Sequence, residues 1–288
     1  MKIIHTAAAL AALLSTTACA TATTTVGPDK ITTGVPIVTG AVPTFNVTPM
    51  SSAFACMSQL TTQSQHPLRI AVGQVRDYTG KFSNEASEGG FKITQGGSLM
   101  VISALGKIDN IDIVERFDTT VAEQDAMLAK SKLLRDPNGD GQMIRPITAG
   151  MYQGSDYYIV GGITEVNYNI RSGGGEVAVS NVGGGKRVYV MNVAADLRLV
   201  DSKSLRVVKT ISMQKQLHGY EVKAGVFSFF GGDELIDVNV GAKSQEPIQL
   251  GVRTVLEYGT LELISAVAPN PDYYRGECRK QADLGFRS

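Results

Sequence analysis

The sequence predicts an α/β domain that continues into long antiparallel β-strands, and three observations support this prediction. Short apolar strands alternate with helical segments between residues 68 and 162, an order typical of a compact α/β domain. Apolar and polar side chains then alternate along four extended segments between residues 165 and 244, which indicates strands with two different faces. A helical pattern follows over residues 247–267.

The first residues have the composition of an export signal. Lys2 supplies a positive charge and residues 7–14 form a short apolar run, so we expect residues 1–18 to be removed. The segment Thr-Thr-Ala-Cys that ends at Cys19 resembles a bacterial lipobox, although leucine usually stands at its first position. Ordinary cleavage after Ala20 is the alternative. We favour lipidation of Cys19, because a cysteine is otherwise an unusual choice for this position.

Charge and hydropathy exclude two classes of protein. Lys plus Arg and Asp plus Glu number 27 each, so the net charge is zero and we expect no nucleic-acid partner. Beyond residue 18 no apolar run reaches the length of a transmembrane helix. A membrane span would therefore have to be a β-barrel, since only helices and closed barrels satisfy their backbone groups in lipid.

The chain divides into a leader, an α/β domain, a strand region and a C-terminal segment. Residues 19–66 are rich in Thr, Pro, Val and Gly, and we expect a lipid-anchored, extended leader with one short helix at residues 50–61. The α/β domain is expected at residues 67–163. In the C-terminal segment, residues 247–288, we expect a helix followed by a polar, exposed tail.

Six elements are predicted within the α/β domain from their periodicity. Leu99, Ile102 and Leu105 recur at helical spacing and predict the buried face of its first helix. Thr119 or Thr120 could cap the second helix. The predicted order is strand, helix, strand, helix, helix, strand, over residues 69–75, 96–105, 112–115, 119–135, 143–152 and 157–162.

In the strand region, residues 164–246, the alternating segments and the glycine turns between them predict two hairpins. In the first, residues 172–182 turn at a glycine triplet into residues 186–195; in the second, residues 220–230 turn at Gly231-Gly232-Asp233 into residues 234–244. Each arm has about the length of a tilted strand that crosses a bilayer. A soluble antiparallel sheet packed on the α/β domain explains the pattern equally well. The candidate membrane side chains are Val177, Val179, Tyr189, Met191, Val193, Tyr220, Val222, Ala224, Val226, Phe227, Ile236, Val238 and Val240.

Candidate catalytic and metal-binding residues are few. After export only His66 and His218 remain as histidines, and neither lies near a nucleophile motif. Residues 136–141 match the start of a calcium loop, but Ile147 stands where the bidentate glutamate is needed. The glycine triplets lack the Lys-Ser/Thr of a phosphate loop. We therefore expect neither an enzyme nor a bound metal or cofactor.

Two cysteines remain in the exported chain, Cys56 and Cys278. An oxidising compartment makes a disulfide between them plausible, and two buried thiols are an equally good alternative.

Residues 219–230, Gly-Tyr-Glu-Val-Lys-Ala-Gly-Val-Phe-Ser-Phe-Phe, resemble the second hairpin of the CsgG family of curli secretion channels. Residues 77–82 are similar to the motif D-x-T-G-x-F at the start of that family's constriction loop, and residues 170–175 and 193–200 are similar to its first hairpin. The resemblance spans most of residues 68–265. The long leader and the Cys56 segment resemble the holdfast-anchoring HfaB branch of the family.

The resemblance implies an outer-membrane lipoprotein with an α/β periplasmic domain. Two hairpins, residues 172–195 and 220–244, would contribute to an oligomeric transmembrane β-barrel, a ring of about nine subunits and about 36 strands. Such channels secrete protein subunits of extracellular fibres or adhesins without nucleotide. The implied partners are copies of the chain itself, the secreted subunits, periplasmic or extracellular accessory proteins and outer-membrane lipid. The alternative is a periplasmic outer-membrane lipoprotein that anchors a surface adhesin without forming a pore.

The constriction loop is expected at residues 81–95. Phe91 matches the family's phenylalanine, and Phe82 closes the motif that opens the loop. The family's tyrosine has no aromatic counterpart between them, because Asn84, Glu85 and Glu88 occupy that span. The resemblance therefore implies a constriction that is wider and more acidic than that of curli channels.

Overall fold

The computed structural model describes residues 45–83, 90–135, 145–171, 188–223, 226–231, 234–239 and 246–284. The strands are β1 (Leu68–Asp77), β2 (Phe82–Ser83), β3 (Gly90–Phe91), β4 (Ile111–Val114), β5 (Tyr157–Arg171), β6 (Val188–Asp201), β7 (Val207–Lys223), β8 (Val226–Gly231) and β9 (Glu234–Asn239). The helices are α1 (Ser51–Thr61), α2 (Gly97–Leu105), α3 (Thr120–Lys130), α4 (Glu246–Ile264), α5 (Pro271–Tyr273) and α6 (Arg279–Leu284), with a π-helical turn over Tyr274–Cys278.

Seven strands form one mixed sheet in the order β4-β1-β5-β6-β7-β8-β9. β1 pairs in parallel with β4 and β5, and all later pairs are antiparallel. Apart from the short β2–β3 ribbon, the chain from β1 to β5 follows the predicted order of strands and helices, with one helix before β5 where two were predicted. Each parallel pair needs such a crossover connection. β5 continues beyond the predicted residue 162 into the alternating region, so the same strand belongs to both parts of the sheet.

Of the three residues predicted on the buried face of α2, Leu105 is fully buried and Ile102 packs against the core, but Leu99 is 57% exposed. The helix approaches β1 through Gly97, where a Cβ atom would lie 2.5 Å from the Val75 carbonyl oxygen. Ser98 strengthens this contact: its hydroxyl accepts a hydrogen bond from the Val75 amide (2.7 Å) and donates one to the Gly73 carbonyl (2.9 Å). Small residues therefore face the sheet, and the large Leu99 is left outside.

The segment after β4 contains less helix than predicted. α3 ends at Lys130 rather than near residue 135, and Lys132 follows in the left-handed region with φ 57°. The Arg145 amide then donates a hydrogen bond to the Leu134 carbonyl (2.8 Å), a pairing that a continued helix would prevent. The helix predicted at residues 143–152 is wrong over its described part, residues 145–152, which form a loop.

α4 packs closely on β6 and β7 because two of its glycines face the sheet. A Cβ atom on Gly251 would lie 2.7 Å from the Leu217 Cδ1 atom, and one on Gly259 would lie 2.8 Å from the Ile211 Cδ1 atom. Glu257 of the same helix is fully buried and forms an ion pair with Lys107 (2.7 Å). The Thr48 hydroxyl also donates to this carboxylate, which ties the start of the described chain to α4.

The C-terminal tail is packed into the core, so the expectation of an exposed tail is wrong. Tyr274, Cys278 and Ala282 are fully buried. The Tyr274 hydroxyl donates a hydrogen bond to Glu262 of α4 (3.1 Å), and burial raises the pKa of this hydroxyl far above its ordinary value.

The two cysteines form a disulfide, which is one of the two alternatives that the sequence left open. Cys56 of α1 and Cys278 are bonded, with their Cα atoms 5.3 Å apart.

We predict that replacement of this disulfide lowers the stability of the domain markedly. The bond closes a separation of 222 residues, so its loss restores much conformational freedom to the unfolded chain. For Cys278→Ser we expect the free energy of unfolding to fall by about 2–5 kcal/mol, measured by denaturant titration. Cys56→Ser should lose the same amount, and a reducing agent should destabilise the wild type but neither variant. An unchanged midpoint in both variants would contradict this prediction.

Candidate functional site

The loop that resembles the family's constriction loop leaves the sheet at a well-defined turn. The Asp77 carboxylate accepts hydrogen bonds from the Thr79 amide (2.8 Å) and the Thr79 hydroxyl (2.6 Å), and Gly80 follows with φ 64°. Such an aspartate-capped turn with glycine in the left-handed region redirects the chain sharply. The motif Asp-Tyr-Thr-Gly therefore directs the loop away from the end of β1.

The root of the loop is attached to β5 as well as to β1. The Tyr78 amide donates a hydrogen bond to the Ile163 carbonyl (2.9 Å). The Tyr78 ring lies over Gly162, where a Cβ atom would come within 2.2 Å of the ring Cδ2 atom. Only glycine leaves room for the ring at this position, so the position of the loop depends on a glycine that sequence patterns did not identify.

The stem of the loop is a short ribbon of β2 and β3, in which Phe82 pairs with Phe91. Their rings make an edge-to-face contact with centroids 5.6 Å apart. The Lys92 amide closes the ribbon with a hydrogen bond to the Lys81 carbonyl (3.0 Å). Both predicted phenylalanines thus lie together at the stem, largely exposed to solvent. Asn84, Glu85 and Glu88 lie outside the described residues.

Two of the predicted membrane side chains lie in the protein core instead. Met191 is 1% exposed and Val193 is 0% exposed. α4 covers this part of β6, and a Cβ atom on its Gly251 would lie 3.3 Å from the Val193 side chain. The period of two correctly indicated an apolar face, but a helix of the same chain covers that face rather than lipid.

The central strands continue beyond the last side chains for which the structure describes burial in the core. Among the side chains whose burial is described, these are Val166 of β5, Met191 of β6 and Leu217 of β7. The strands continue in register, with Arg171 opposite Val188 and Val188 opposite Tyr220. We call residues 167–171, 188–190 and 218–223 the projecting strand ends.

The pairing predicted for the first hairpin is wrong, because residues 188–195 of β6 pair with residues 163–171 of β5 instead of residues 172–182. These strands pair without interruption, apart from one bulge, as far as Arg171 and Val188. The predicted hairpin side chain Tyr189 lies on the projecting strand ends, opposite Ile170. Val177, Val179, both glycine triplets and the lipidation candidate Cys19 lie outside the described residues.

The second predicted hairpin has a different arrangement of strands. β7 ends at Lys223 and pairs with Val226 of β8, so residues 220–230 form two antiparallel strands rather than one long arm. Because the chain reverses direction between Lys223 and Val226, β8 pairs with β7 and the backbone N–H and C=O groups of both strands form hydrogen bonds. A single long arm at the edge of a sheet would leave a row of these groups unpaired. The turn predicted between Gly231 and Glu234 agrees with the pairing of these residues.

The predicted side chains of the second hairpin distribute over three strands. Phe227 of β8 pairs with Val238 of β9, and Ile236 pairs with a neighbouring phenylalanine of β8. Tyr220 and Val222 lie on β7, and Val226 begins β8. Ala224 and Val240 lie outside the described residues.

Few described residues have the chemistry of a catalytic or metal site. His66 is exposed in the loop before β1, and His218 lies on β7 opposite Val190. The described part of the chain contains no cluster of three His, Cys, Asp or Glu side chains that could hold a metal. Among the described helices, none has the length and apolar character needed to cross a membrane. The loop and the projecting strand ends are therefore the candidate functional site.

We predict that Gly162→Ala destabilises the root of the loop. The added methyl group overlaps the Tyr78 ring, and a backbone oxygen of Arg76 lies 2.7 Å from the same position. The free energy of unfolding should fall by about 1–3 kcal/mol, and trypsin should cleave at Lys81 and Lys92 faster. Gly154→Ala is the control, because no atom lies within 4 Å of its Cβ position. Equal stability of the two variants would contradict the packing described.

Comparisons with known proteins identify a family and several relatives. The family described as "Curli production assembly/transport component CsgG" matches residues 50–273. HfaB of Caulobacter vibrioides, which carries the name of a transcription activator protein, is 42% identical over 287 residues, covering 94% of this chain and 83% of that relative. CsgG of Salmonella typhimurium, a curli production assembly/transport component, is 25% identical over 199 residues, covering 68% of this chain and 70% of that relative.

Solved structures show a more distant likeness. Lipoprotein GNA1162 of Neisseria meningitidis aligns with 53% of this chain and 84% of its own at 16% identity and a TM-score of 0.27. Protein XCC0632 of Xanthomonas campestris aligns with 70% of this chain and 86% of its own at 11% identity and a TM-score of 0.31. Structural likeness at these TM-scores does not indicate a shared function. The family match over residues 50–273, together with the relative at 42% identity, shows that this chain belongs to the CsgG family.

Proposed function

We propose that this chain is an outer-membrane lipoprotein that assembles into an oligomeric channel. The channel would secrete protein subunits of an extracellular fibre or a surface adhesin, in curli-related or holdfast-related export, without using nucleotide. Membership of the CsgG family supports this proposal. The observation that carries it is the length of β5, β6 and β7, which have 15, 14 and 17 residues and stay paired as far as Arg171, Val188 and Tyr220.

The projecting strand ends are suited to lead into a membrane wall. Val166, Met191 and Leu217 are buried in the core, so the membrane segments would begin beyond these residues. We therefore propose residues 172–190 and 220–244 as the parts that each subunit contributes to a shared β-barrel. The few strands of one chain cannot enclose a wide pore, which makes the barrel oligomeric. A lipid on Cys19 would add a tether to the membrane.

The loop of residues 81–95 would form the constriction of this channel. Its root is attached to two strands, and its stem presents the exposed rings of Phe82 and Phe91. Exposed aromatic rings offer an unfolded chain weak, side-chain-tolerant contacts. Glu85 and Glu88 would make the opening acidic and favour cationic segments of the cargo.

An adhesin anchor without a pore is the second candidate function. This candidate rests on the 42% identity to HfaB. The HfaB branch is the holdfast-anchoring branch that the sequence resembles, and anchoring does not itself require a channel. The name of that relative describes a transcription activator, but this chain has a formal net charge of zero and a predicted N-terminal export signal, which argue against carrying that activity over.

Two measurements on the detergent-extracted, full-length protein separate the candidates. A channel should appear as a ring in electron micrographs and should conduct ions in planar bilayers. An anchor should bind outer-membrane lipid without conductance. A monomeric, non-conducting protein would exclude the channel.

We predict that Ile236→Arg and Val238→Arg prevent membrane assembly, because both positions of β9 lie on the face of the ribbon that they share with Phe229 and Phe227 of β8. A charge on the lipid face of a barrel costs about 2–4 kcal/mol at mid-membrane, and the cost is repeated in every subunit of a ring. Heat-modifiable oligomers in outer-membrane fractions should be lost, which gel electrophoresis measures. Leu99→Arg is the matched control, because Leu99 is already exposed on α2. Normal oligomers in both hairpin variants would contradict the placement of the membrane segments.

We predict that Glu85→Lys with Glu88→Lys reverses the ion preference of the pore. Carboxylates at a narrow opening attract cations, whereas ammonium groups repel them. The reversal potential in a KCl gradient should change sign from cation-selective to anion-selective. Glu277→Lys, in the C-terminal segment, should leave the reversal potential unchanged. A cation preference that survives the double substitution would place the constriction elsewhere.

A further inference from the structure

The disulfide lies where α1 packs against the C-terminal segment, deep in the core. Cys56 is 4% exposed and Cys278 is 0% exposed, and both belong to the same core cluster as Met57 and Tyr274. Exchange of a disulfide requires a thiolate to reach one of its sulfur atoms. Burial therefore protects the bond in the folded chain, and the partner of Cys56 must be decided before folding is complete.

Contacts other than the disulfide also hold α1 in place. The Asn110 side-chain amide donates a hydrogen bond to the Thr61 carbonyl (2.7 Å), and the Thr61 hydroxyl donates one to the Asp109 carbonyl (2.7 Å). These bonds attach the end of α1 to the loop before β4. The folded domain thus keeps Cys56 beside Cys278 through contacts that an unfolded chain lacks.

The unfolded chain has a different preference, because the sequence contains a third cysteine. Cys19 lies 37 positions before Cys56, whereas the native bond joins residues 222 positions apart. The probability of loop closure falls roughly as the 3/2 power of loop length, so the shorter loop closes about fifteen times more often. Export from the N-terminus also delivers Cys19 and Cys56 before Cys278. A free thiol at Cys19 would therefore compete strongly for Cys56.

Two reactions compete for the Cys19 thiol. Lipidation forms a thioether between its Sγ atom and a glycerol carbon of a phospholipid; the bond from that carbon to the phosphate headgroup breaks, and the headgroup leaves with the thiol proton. Oxidation instead removes two electrons and two protons from a pair of thiols, and a protein disulfide of the export compartment accepts them and becomes a dithiol. A thioether forms no thiolate and takes no part in exchange. Whichever reaction comes first at Cys19 excludes the other.

We propose that the lipid on Cys19 directs Cys56 to its native partner, in addition to tethering the chain. Lipidation before oxidation leaves Cys56 and Cys278 as the two thiols of the chain, so a single disulfide can form. Oxidation before lipidation would join Cys19 to Cys56, remove the nucleophile that lipidation needs and leave Cys278 without its partner. This inference rests on the lipoprotein part of the proposed function and sets the order of the two reactions.

Two unlipidated forms of the full-length chain test the competition. Residues 1–18 are replaced by the signal peptide of a periplasmic protein without lipid, and position 19 carries either Cys19 or Cys19→Ser. After export into a periplasm that contains a disulfide oxidase, N-ethylmaleimide blocks the free thiols, and mass spectrometry of non-reduced peptides measures each pair. The form with Cys19 should contain mainly the bond from Cys19 to Cys56, with the native bond reduced about tenfold. The Cys19→Ser form should contain the native bond throughout. Equal yields of the native bond would overturn the proposal.

Thr23→Cys separates the effect of a free thiol from the loss of the lipid. This variant keeps Cys19 and its lipid and adds an uncapped thiol four positions later. The new thiol closes a loop of nearly the same length with Cys56, so the native bond should again fall about tenfold. Thr23→Ser is the matched control and should form the native bond as the wild type does. Full native pairing in Thr23→Cys would contradict the competition.

The mass of the wild-type N-terminal peptide separates this inference from the proposed function. A lipidated wild type, together with equal native yields in the two unlipidated forms, would refute the inference and leave the lipoprotein standing. A wild type whose Cys19 carries no lipid would refute the lipoprotein and the inference together, and bilayer conductance would then test the channel by itself. A lipidated wild type, with mispairing only in the forms that have an uncapped thiol, would support both.

Discussion

The packing of α4 on β6 and β7 is the constraint on which the rest of the structure depends. Gly251 and Gly259 bring the helix so close that added Cβ atoms would touch Leu217 and Ile211. Burial of apolar side chains at this interface accounts for much of the core, since apolar burial is the dominant favourable term in folding. α4 also covers Met191 and Val193 of β6, so this part of the strand belongs to the core.

Two glutamates of the same helix bind side chains from distant parts of the chain. Glu257 binds Lys107 and Thr48, and Glu262 binds Tyr274 and Lys209. Buried carboxylates are costly unless they are paired and hydrogen-bonded, so these partners must stay in place for the helix to remain buried. The disulfide then joins α1 to the C-terminal segment that surrounds α4.

β5 connects the two parts of the candidate site. Near its middle, the Ile163 carbonyl and Gly162 hold Tyr78 at the root of the loop. At its end, Arg171 pairs with Val188 on the projecting strand ends. A displacement of β5 would therefore reach both the loop and the strands, because paired strands transmit displacement through their hydrogen bonds. In a channel, the constriction and the wall would share this one strand.

Local patterns in the sequence determined most of the elements, whereas the tertiary structure decided what each face contacts. Periodicity located β1, α2 and α4, and the motif of residues 219–230 identified the family. The same periodicity could not show that α4 covers Met191 and Val193, or that Leu99 is exposed. It also missed the buried tail and left the pairing of Cys56 with Cys278 open. A period of two or 3.6 residues records that an element has two faces, but contacts between residues 222 positions apart arise only when the chain has folded.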